Sequence, residues 1–373
     1  MSAVRSPAAL VSLSLSLVVS LPGLALAQTL PPRACASSAV ASLVPTSRYT
    51  PVSAVMTGPD TLWVLYGDHD ARNIDAVSLI EVRGIANSHL EVETHEIGEG
   101  TVTGGSLAVI GTNIVAAWVQ TDHRVGVYTH PTSGGVDRRI AFDTTAAPAT
   151  VSVTATARGG LVAWDDGGHA IHTARLDANG AQQGFAMSLV GRFVAPVTTS
   201  AFDGLVVFQT PLGRTSHLRV YSPGSAAPVP LRGAVAVGGV SGTTIAATPL
   251  RALVSSVARG ALHVTSLDAA NGSGRDRVLT PTRGIGEAGL GATTWGAMAA
   301  WTRAGSVYVV PVAPDGSAAS APFEVTQPAT PEGARTPVVA STPQMAAVVW
   351  WGIPERRPAG SAGTLRFVRL DCH

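Results

Sequence analysis

One unit recurs along this chain at a near-constant interval, and it restricts the possible folds more than any other feature. It is an apolar strand ending in an aromatic residue, a short polar turn, and a second strand of alternating character. Five clear copies can be read, beginning with Val115-Ala116-Ala117-Trp118 followed by Arg124-Val125-Gly126-Val127-Tyr128. Leu161-Val162-Ala163-Trp164 precedes Ala170-Ile171-His172-Thr173-Ala174-Arg175-Leu176, and Leu205-Val206-Val207-Phe208 precedes His217-Leu218-Arg219-Val220-Tyr221. Ala299-Ala300-Trp301 precedes Val307-Tyr308-Val309-Val310, and Ala347-Val348-Val349-Trp350 precedes Leu365-Arg366-Phe367-Val368. Two weaker copies are Trp63-Val64-Leu65-Tyr66 and Leu253-Val254-Ser255, the second with serine in the aromatic position. The anchors Tyr66, Trp118, Trp164, Phe208, Ser255, Trp301 and Trp350 are 52, 46, 44, 47, 46 and 49 residues apart.

A period of that size matches one four-stranded blade of a β-propeller, roughly 40–50 residues. A lone four-stranded sheet with two apolar faces cannot bury them. Stacking such sheets around an axis buries each face against a neighbour and leaves only short edges. The 40 glycines and 25 prolines show no collagen period and supply turns. No amphipathic 3.6-residue pattern lasts beyond about two turns. The expected fold is therefore all-β: a seven-bladed β-propeller of four-stranded blades, forming a single domain over residues 28–373. The competing arrangement, two or three β-sandwiches in series, would not repeat one strand–aromatic–turn–strand unit along the whole chain.

The two ends of the chain bear on closure and compartment. Residues 1–27 combine Arg5, an apolar stretch from Ala8 to Leu21, a Pro22-Gly23 break and small residues at Ala25 and Ala27. That is the layout of a signal peptide cleaved near Ala27, so the chain is expected to be secreted or periplasmic. The last copy of the unit stops at its third strand, so its fourth must come from elsewhere. Ser42-Leu43-Val44-Pro45-Thr46 resembles Val278-Leu279-Thr280-Pro281-Thr282, a fourth strand by position. The expectation is that an N-terminal strand closes the last blade. The same superposition brings both cysteines, Cys35 and Cys372, to the point where a hairpin would join strands three and four. In an oxidising compartment a Cys35–Cys372 disulfide would replace that hairpin.

With Leu161-Val162-Ala163-Trp164-Asp165-Asp166-Gly167 and Arg175-Leu176-Asp177-Ala178-Asn179-Gly180 in view, the chain resembles bacterial secreted β-propellers that share one blade between their two ends. The resemblance spans about residues 36–371 and concerns architecture. Trp-Asp occurs once, at Trp164-Asp165, and neither a kelch Gly-Gly array nor a sialidase Asp-box can be read. A shared fold assigns no activity.

Charge and motif narrow the function without naming it. All 25 basic residues are arginine, which removes lysine nucleophiles and Schiff bases, and a net charge of +1 without a basic run argues against nucleic acid. No segment has the apolar length of a transmembrane helix. The connections between strands two and three hold much of the charge and are the expected binding face. The candidate ligand-binding residues are Asp68, His69, Asp70, Asp122, His123, Asp165, Asp166, His169, Arg214, Arg303 and Arg356, with Trp351 facing away from Trp350. Asp68, His69 and Asp70, with Asp165, Asp166 or His169, could coordinate Ca²⁺ or a transition metal, although no cofactor or metal is assigned. Gly-x-Ser-x-Gly is absent, and Gly104-Gly105 and Gly159-Gly160 are expected at turns that start strands. The expected function is non-enzymatic binding of a protein or glycan of the cell envelope by a monomer. The alternative is a propeller-type hydrolase or lyase with a metal or paired carboxylates at the channel mouth.

Overall fold

Runs of Val, Ala, Leu and aromatic residues, cut every seven to ten positions by Gly, Asp or Pro, leave little but antiparallel strands to form. In the computed structural model of the chain, the described residues run from 34 to 372, apart from 47–52, 70–74, 88, 121, 147, 149, 167–169, 191, 200–201, 213–214, 222–228, 231–240, 248–250, 259, 269–272, 281–283, 327–331, 343–344 and 355–362. The expected signal peptide lies outside the described residues.

Strands β1 (Cys35–Ser37) and β2 (Ala41–Thr46) come first. A seven-stranded antiparallel sheet follows, made of β3 (Ser53–Met56), β4 (Thr61–His69), β5 (Asp75–Arg83), β6 (Glu91–Ile110), β7 (Asn113–Gln120), β8 (Val125–Pro131) and β9 (Arg138–Phe142). Four-stranded sheets succeed it in order. They are β10 (Val151–Thr156) to β13 (Gln182–Val190) through β11 (Gly159–Asp165) and β12 (Ala170–Leu176), and β14 (Arg192–Thr199) to β17 (Val229–Pro230) through β15 (Phe202–Leu212) and β16 (Thr215–Tyr221). The next are β18 (Ser241–Ala247) to β21 (Ser273–Val278) through β19 (Arg251–Ala258) and β20 (Ala261–Asp268), and β22 (Ile285–Thr293) to β25 (Phe323–Glu324) through β23 (Gly296–Arg303) and β24 (Ser306–Val312). In the last sheet β26 (Glu332–Ser341), β27 (Met345–Pro354) and β28 (Gly363–Cys372) pair in sequence, and both β1 and β2 pair with β28.

Every anchor falls on the second strand of its group: Tyr66 on β4, Trp118 on β7, Trp164 on β11, Phe208 on β15, Ser255 on β19, Trp301 on β23 and Trp350 on β27. The architecture is all-β and propeller-like. Successive groups touch through their first strands, from β3 to β6, β10, β14, β18, β22 and β26, and β26 in turn contacts β3. Apolar clusters fill the spaces between groups. Trp164 and Phe142 stack at 5.0 Å between the sheet of β9 and that of β11. Leu62, Val64 and Tyr66 meet Ala347, Val349 and Phe367 between the first and last groups.

β6 departs from the expectation. Gly104-Gly105 starts no new strand but lies inside this 20-residue strand, whose first half pairs with β5 and whose second half pairs with β7. The register shifts between Thr101 and Ser106, a place where side-chain-free residues let a strand bend out of one ladder into the next.

Turns joining third and fourth strands are latched by the group before them. Arg369 donates through Nη1 to Ile85 O at 3.0 Å and Ala86 O at 2.8 Å. Asn113 Nδ2 donates to Ala178 O at 2.6 Å, and Ser266 Oγ to Pro314 O at 2.8 Å. Different side chains satisfy the same exposed turn carbonyls, so the device leaves no repeating sequence mark. Cys35 and Cys372 face each other as register partners, and their sulfurs are bonded with the Cα atoms 4.1 Å apart.

Candidate functional site

The second-to-third connections all leave one end of their hairpins, where the charged residues were expected to gather. Asp70, His169, Arg214 and Arg356 lie outside the described residues. Asp68 and His69 end β4, paired in backbone register with Ala76 and Asp75. Arg303 is exposed at the end of β23, opposite Ser306. Trp351 is on β27 and buried, its indole against Gly363, rather than presented to solvent.

The carboxylates at the end of β11 and just after it bond nearby segments of the same chain. Asp165 is buried and accepts from Thr150 Oγ1 at 2.9 Å. Asp166 accepts from Ala170 N at 3.1 Å and Thr145 Oγ1 at 3.3 Å. Thr144 Oγ1 donates to His123 O at 2.5 Å, so Thr144 and Thr145 bridge these two loops. His123 holds φ at 67°, the left-handed region, as the last residue of a tight turn.

Asp166, His172 and Ser188 stand in a row that superficially suggests nucleophilic catalysis. Ser188 Oγ is 2.8 Å from His172 Nδ1, while His172 Nε2 is 3.6 Å from Asp166 Oδ2. The second distance exceeds a hydrogen bond, and Asp166 is already held by Ala170 and Thr145. The imidazole therefore lacks the firmly bonded carboxylate that orients a general base.

Two groupings did emerge, both where β6 crosses from one half of the seven-stranded sheet to the other. The first is an open cleft of about 420 Å³ lined by Glu96, Gly98, Glu99, Gln120, Asp122 and Arg139. Its shape comes from Trp118. A Cβ on Gly98 would lie 2.8 Å from the indole and one on Gly126 2.7 Å, so glycine at both positions lets the ring lie flat between β6 and β8. The indole N–H then donates to Glu99 O at 3.3 Å. The Arg139 guanidinium lies 5.6 Å above the Tyr128 ring and donates to Glu96 O at 3.5 Å. Asp122 accepts from Arg124 N at 3.2 Å and Nε at 2.7 Å, and that backbone hydrogen bond leads in holding its carboxyl below the usual range. Gln120 Oε1 is enclosed without a hydrogen-bond partner among the described residues. Glu96, Glu99 and Asp122 line the cleft with Arg139, and Arg124 pairs with Asp122, so carboxylates outnumber arginines there by one.

The second grouping adjoins the cleft, since His95 precedes Glu96 on β6 and Arg139 lies over the ring of Tyr128. The Trp63 ring is 5.2 Å from His130 and 6.1 Å from His95, and the two imidazoles are 5.2 Å apart. Asp137 accepts from Tyr128 Oη at 2.5 Å and lies 3.0 Å from His130 Nδ1. Burial above all pushes the Tyr128 phenol up, with the Asp137 bond adding to it. At Asp137 burial pulls the carboxyl upward, but hydrogen bonds from Tyr128 and His130 outweigh it and hold the carboxyl below its usual range. Sequence reading passed over Glu81, Glu93, His95, His130 and Asp137. The available signal was Glu81, an acid in line with Val77 and Leu79 on a strand apolar on both faces.

No protein-family model and no curated protein sequence matches the chain. Solved β-propellers are similar in fold. YCF48 bound to the D1 peptide is 13% identical with a TM-score of 0.55, over 92% of this chain and 98% of that one. The β-propeller domain of the trilobed protease from Pyrococcus furiosus, described as having an open velcro topology, is 10% identical with a TM-score of 0.56, over 85% and 95%. The Dos1 propeller is 9% identical with a TM-score of 0.51, over 92% and 95%. Likeness at these identities concerns the fold alone.

Proposed function

We propose that the chain is an exported, non-enzymatic, monomeric binding protein that takes a cationic segment of an envelope protein into the cleft beside β6. The platform in this reading is one seven-bladed ring whose last blade is completed by the N-terminal strands. Support for the ring comes from the return contact of β26 with β3 and from the pairing of β1 and β2 with β28. The observation carrying the function is the acidic lining, with Glu96, Glu99 and Asp122 around a concave surface in a chain of only 13% charged residues. Such a surface attracts cationic groups and hydrogen-bond donors. A similar propeller solved with a peptide bound is consistent with a peptide ligand.

The test uses an array of short peptides of graded arginine content, read against the mature chain at two salt concentrations. Binding that rises with arginine content, weakens with salt and is lost in Glu96→Arg/Asp122→Arg, but survives in the distant control Glu324→Arg, is the expected outcome. Equal binding by both variants, or salt-independent recognition of neutral glycans, would refute the cleft as the protein-binding site.

A further inference from the structure

Beyond the cleft, the same crossing of β6 holds side chains whose types and spacing suit a metal ion. Glu81 on β5 and Glu93 on β6 are register partners, and His95 projects two residues along from Glu93, on the same side of the sheet. One ligand atom from each of Glu81, Glu93 and His95 falls within 4.8 Å of the others. Tetrahedral zinc holds neighbouring donors roughly 3.3 Å apart, so modest side-chain rotation closes the set.

Three further observations point toward a cation there. Glu81 is 8% exposed, so its carboxylate has left bulk water and needs a positive partner. Arg83 supplies one, bonding Glu81 and lying 3.7 Å from Glu93, yet one guanidinium faces two carboxylates and Glu91 adds a third to its surroundings. Moreover, His95 Nε2 is enclosed without a hydrogen-bond partner among the described residues, with Glu93 Oε1 3.7 Å away. A lone pair on that nitrogen would meet a metal where it now meets no donor. Imidazole nitrogen beside carboxylate oxygens selects first-row divalent ions over Ca²⁺ and Mg²⁺, which prefer all-oxygen sites. Both cysteines are in the disulfide and do not compete.

We propose that Glu81, Glu93 and His95 form a binding site for a divalent transition-metal ion, zinc foremost, between the two halves of the seven-stranded sheet. Arg83, whose side chain is 53% exposed, occupies the place of the cation until the ion arrives and then swings into solvent. Arg83 is thus a competitor rather than a ligand, which distinguishes this site from an ordinary ion-pair cluster. The inference does not depend on the cleft binding any partner.

The experiment strips the tag-free mature chain with chelator and titrates it with Zn²⁺ by calorimetry, using Co²⁺ absorption as a spectroscopic probe of nitrogen ligation. One ion per chain is expected, with Co²⁺ bands that disappear when zinc is added. Glu93→Gln, at a 57% exposed side chain that can change without harm to the fold, should weaken zinc at least tenfold. His95→Ala should abolish the Co²⁺ bands, and Arg83→Gln should tighten zinc about tenfold by removing the competing charge. A folded wild-type chain that takes up no zinc, or zinc affinity unchanged in both Glu93→Gln and His95→Ala, overturns the site.

Discussion

The junction crossed by β6 and the junction between the first and last groups solve the same packing problem by different means. At the first, one strand runs unbroken from Glu91 to Ile110 through both ladders, and the interface holds Glu81, His95, His130 and Asp137 as well as Trp63 and Trp118. At the second, among the described residues, no single strand runs through both ladders: β2 ends in the last sheet at Thr46 and β3 begins the first group at Ser53. There the interface is an apolar cluster of Leu62, Tyr66, Ile80, Val349 and Phe367, with the latch of Arg369 on Ile85 and Ala86 at its edge. Covalent continuity keeps the first pair of ladders together whatever lies between them, so that interface can carry ionisable groups. Where no strand is shared, apolar burial and the Arg369 latch hold the two groups, while strand pairing with β28 and a sulfur bond fasten the chain ends within the last sheet. Room for chemistry appears where the backbone already holds the sheets together.

The contrast can be broken or sharpened by substitution. The largest effect is expected at the chain ends. Cys372→Ser opens a loop of 337 residues, for which the chain-entropy relation sets an upper bound of about 5–6 kcal/mol. Denaturant unfolding without reductant should show a large loss, and an unchanged midpoint would mean that the bond does little for the ends. Phe367→Ala removes a side chain 4% exposed in the apolar junction and should cost about 4 kcal/mol at any pH between 5 and 8. Arg369→Met keeps the stem but removes both carbonyl contacts to the 85–86 turn, costing about 2 kcal/mol in the same measurement.

The smallest effect belongs to the polar junction and is the one that varies with pH. Asp137→Asn should cost about 1 kcal/mol at neutral pH, since the carboxylate is partly exposed while bonding Tyr128 and His130. The folded carboxyl titrates below its unfolded value. Its contribution is therefore complete above the ordinary carboxylate range and fades as pH falls through the folded value. Wild type and variant should converge in stability on acidification. A gap that stays constant down to pH 2 would show that the charge on Asp137 is irrelevant there.

These regions were legible in the sequence to different degrees. The second strands were readable because they are near-continuous apolar runs, and the aromatic near the end of several fills space between groups, as Trp118, Trp164 and Trp301 do. Pairing of the N-terminal segment with β28 was anticipated from the likeness of Ser42–Thr46 to Val278–Thr282, although of that phrase Val278 is the residue that ends the fourth strand β21. The continuous β6 was hidden by Gly104-Gly105, which reads as a turn unless the bend between two ladders is known. The His95 and His130 grouping was hidden for another reason. Its members come from β4, β5, β6 and β8, far apart in sequence, and only the stacking of two ladders brings them together. The loop acids differ from that grouping in being adjacent in sequence. Asp165 and Asp166 attract attention as adjacent acids, yet they tie down Thr150, Ala170 and Thr145.

At the centre of the account is the claim that the two ends of the chain share one sheet and are fastened there. Tryptic mapping of the folded protein under non-reducing conditions tests it most directly, because cleavage after Arg33, Arg48 and Arg369 isolates each cysteine on a short peptide. The account predicts one species joining residues 34–48 to residues 370–373, which separates on reduction. Recovery of both peptides alkylated at free thiols without any reductant would contradict it.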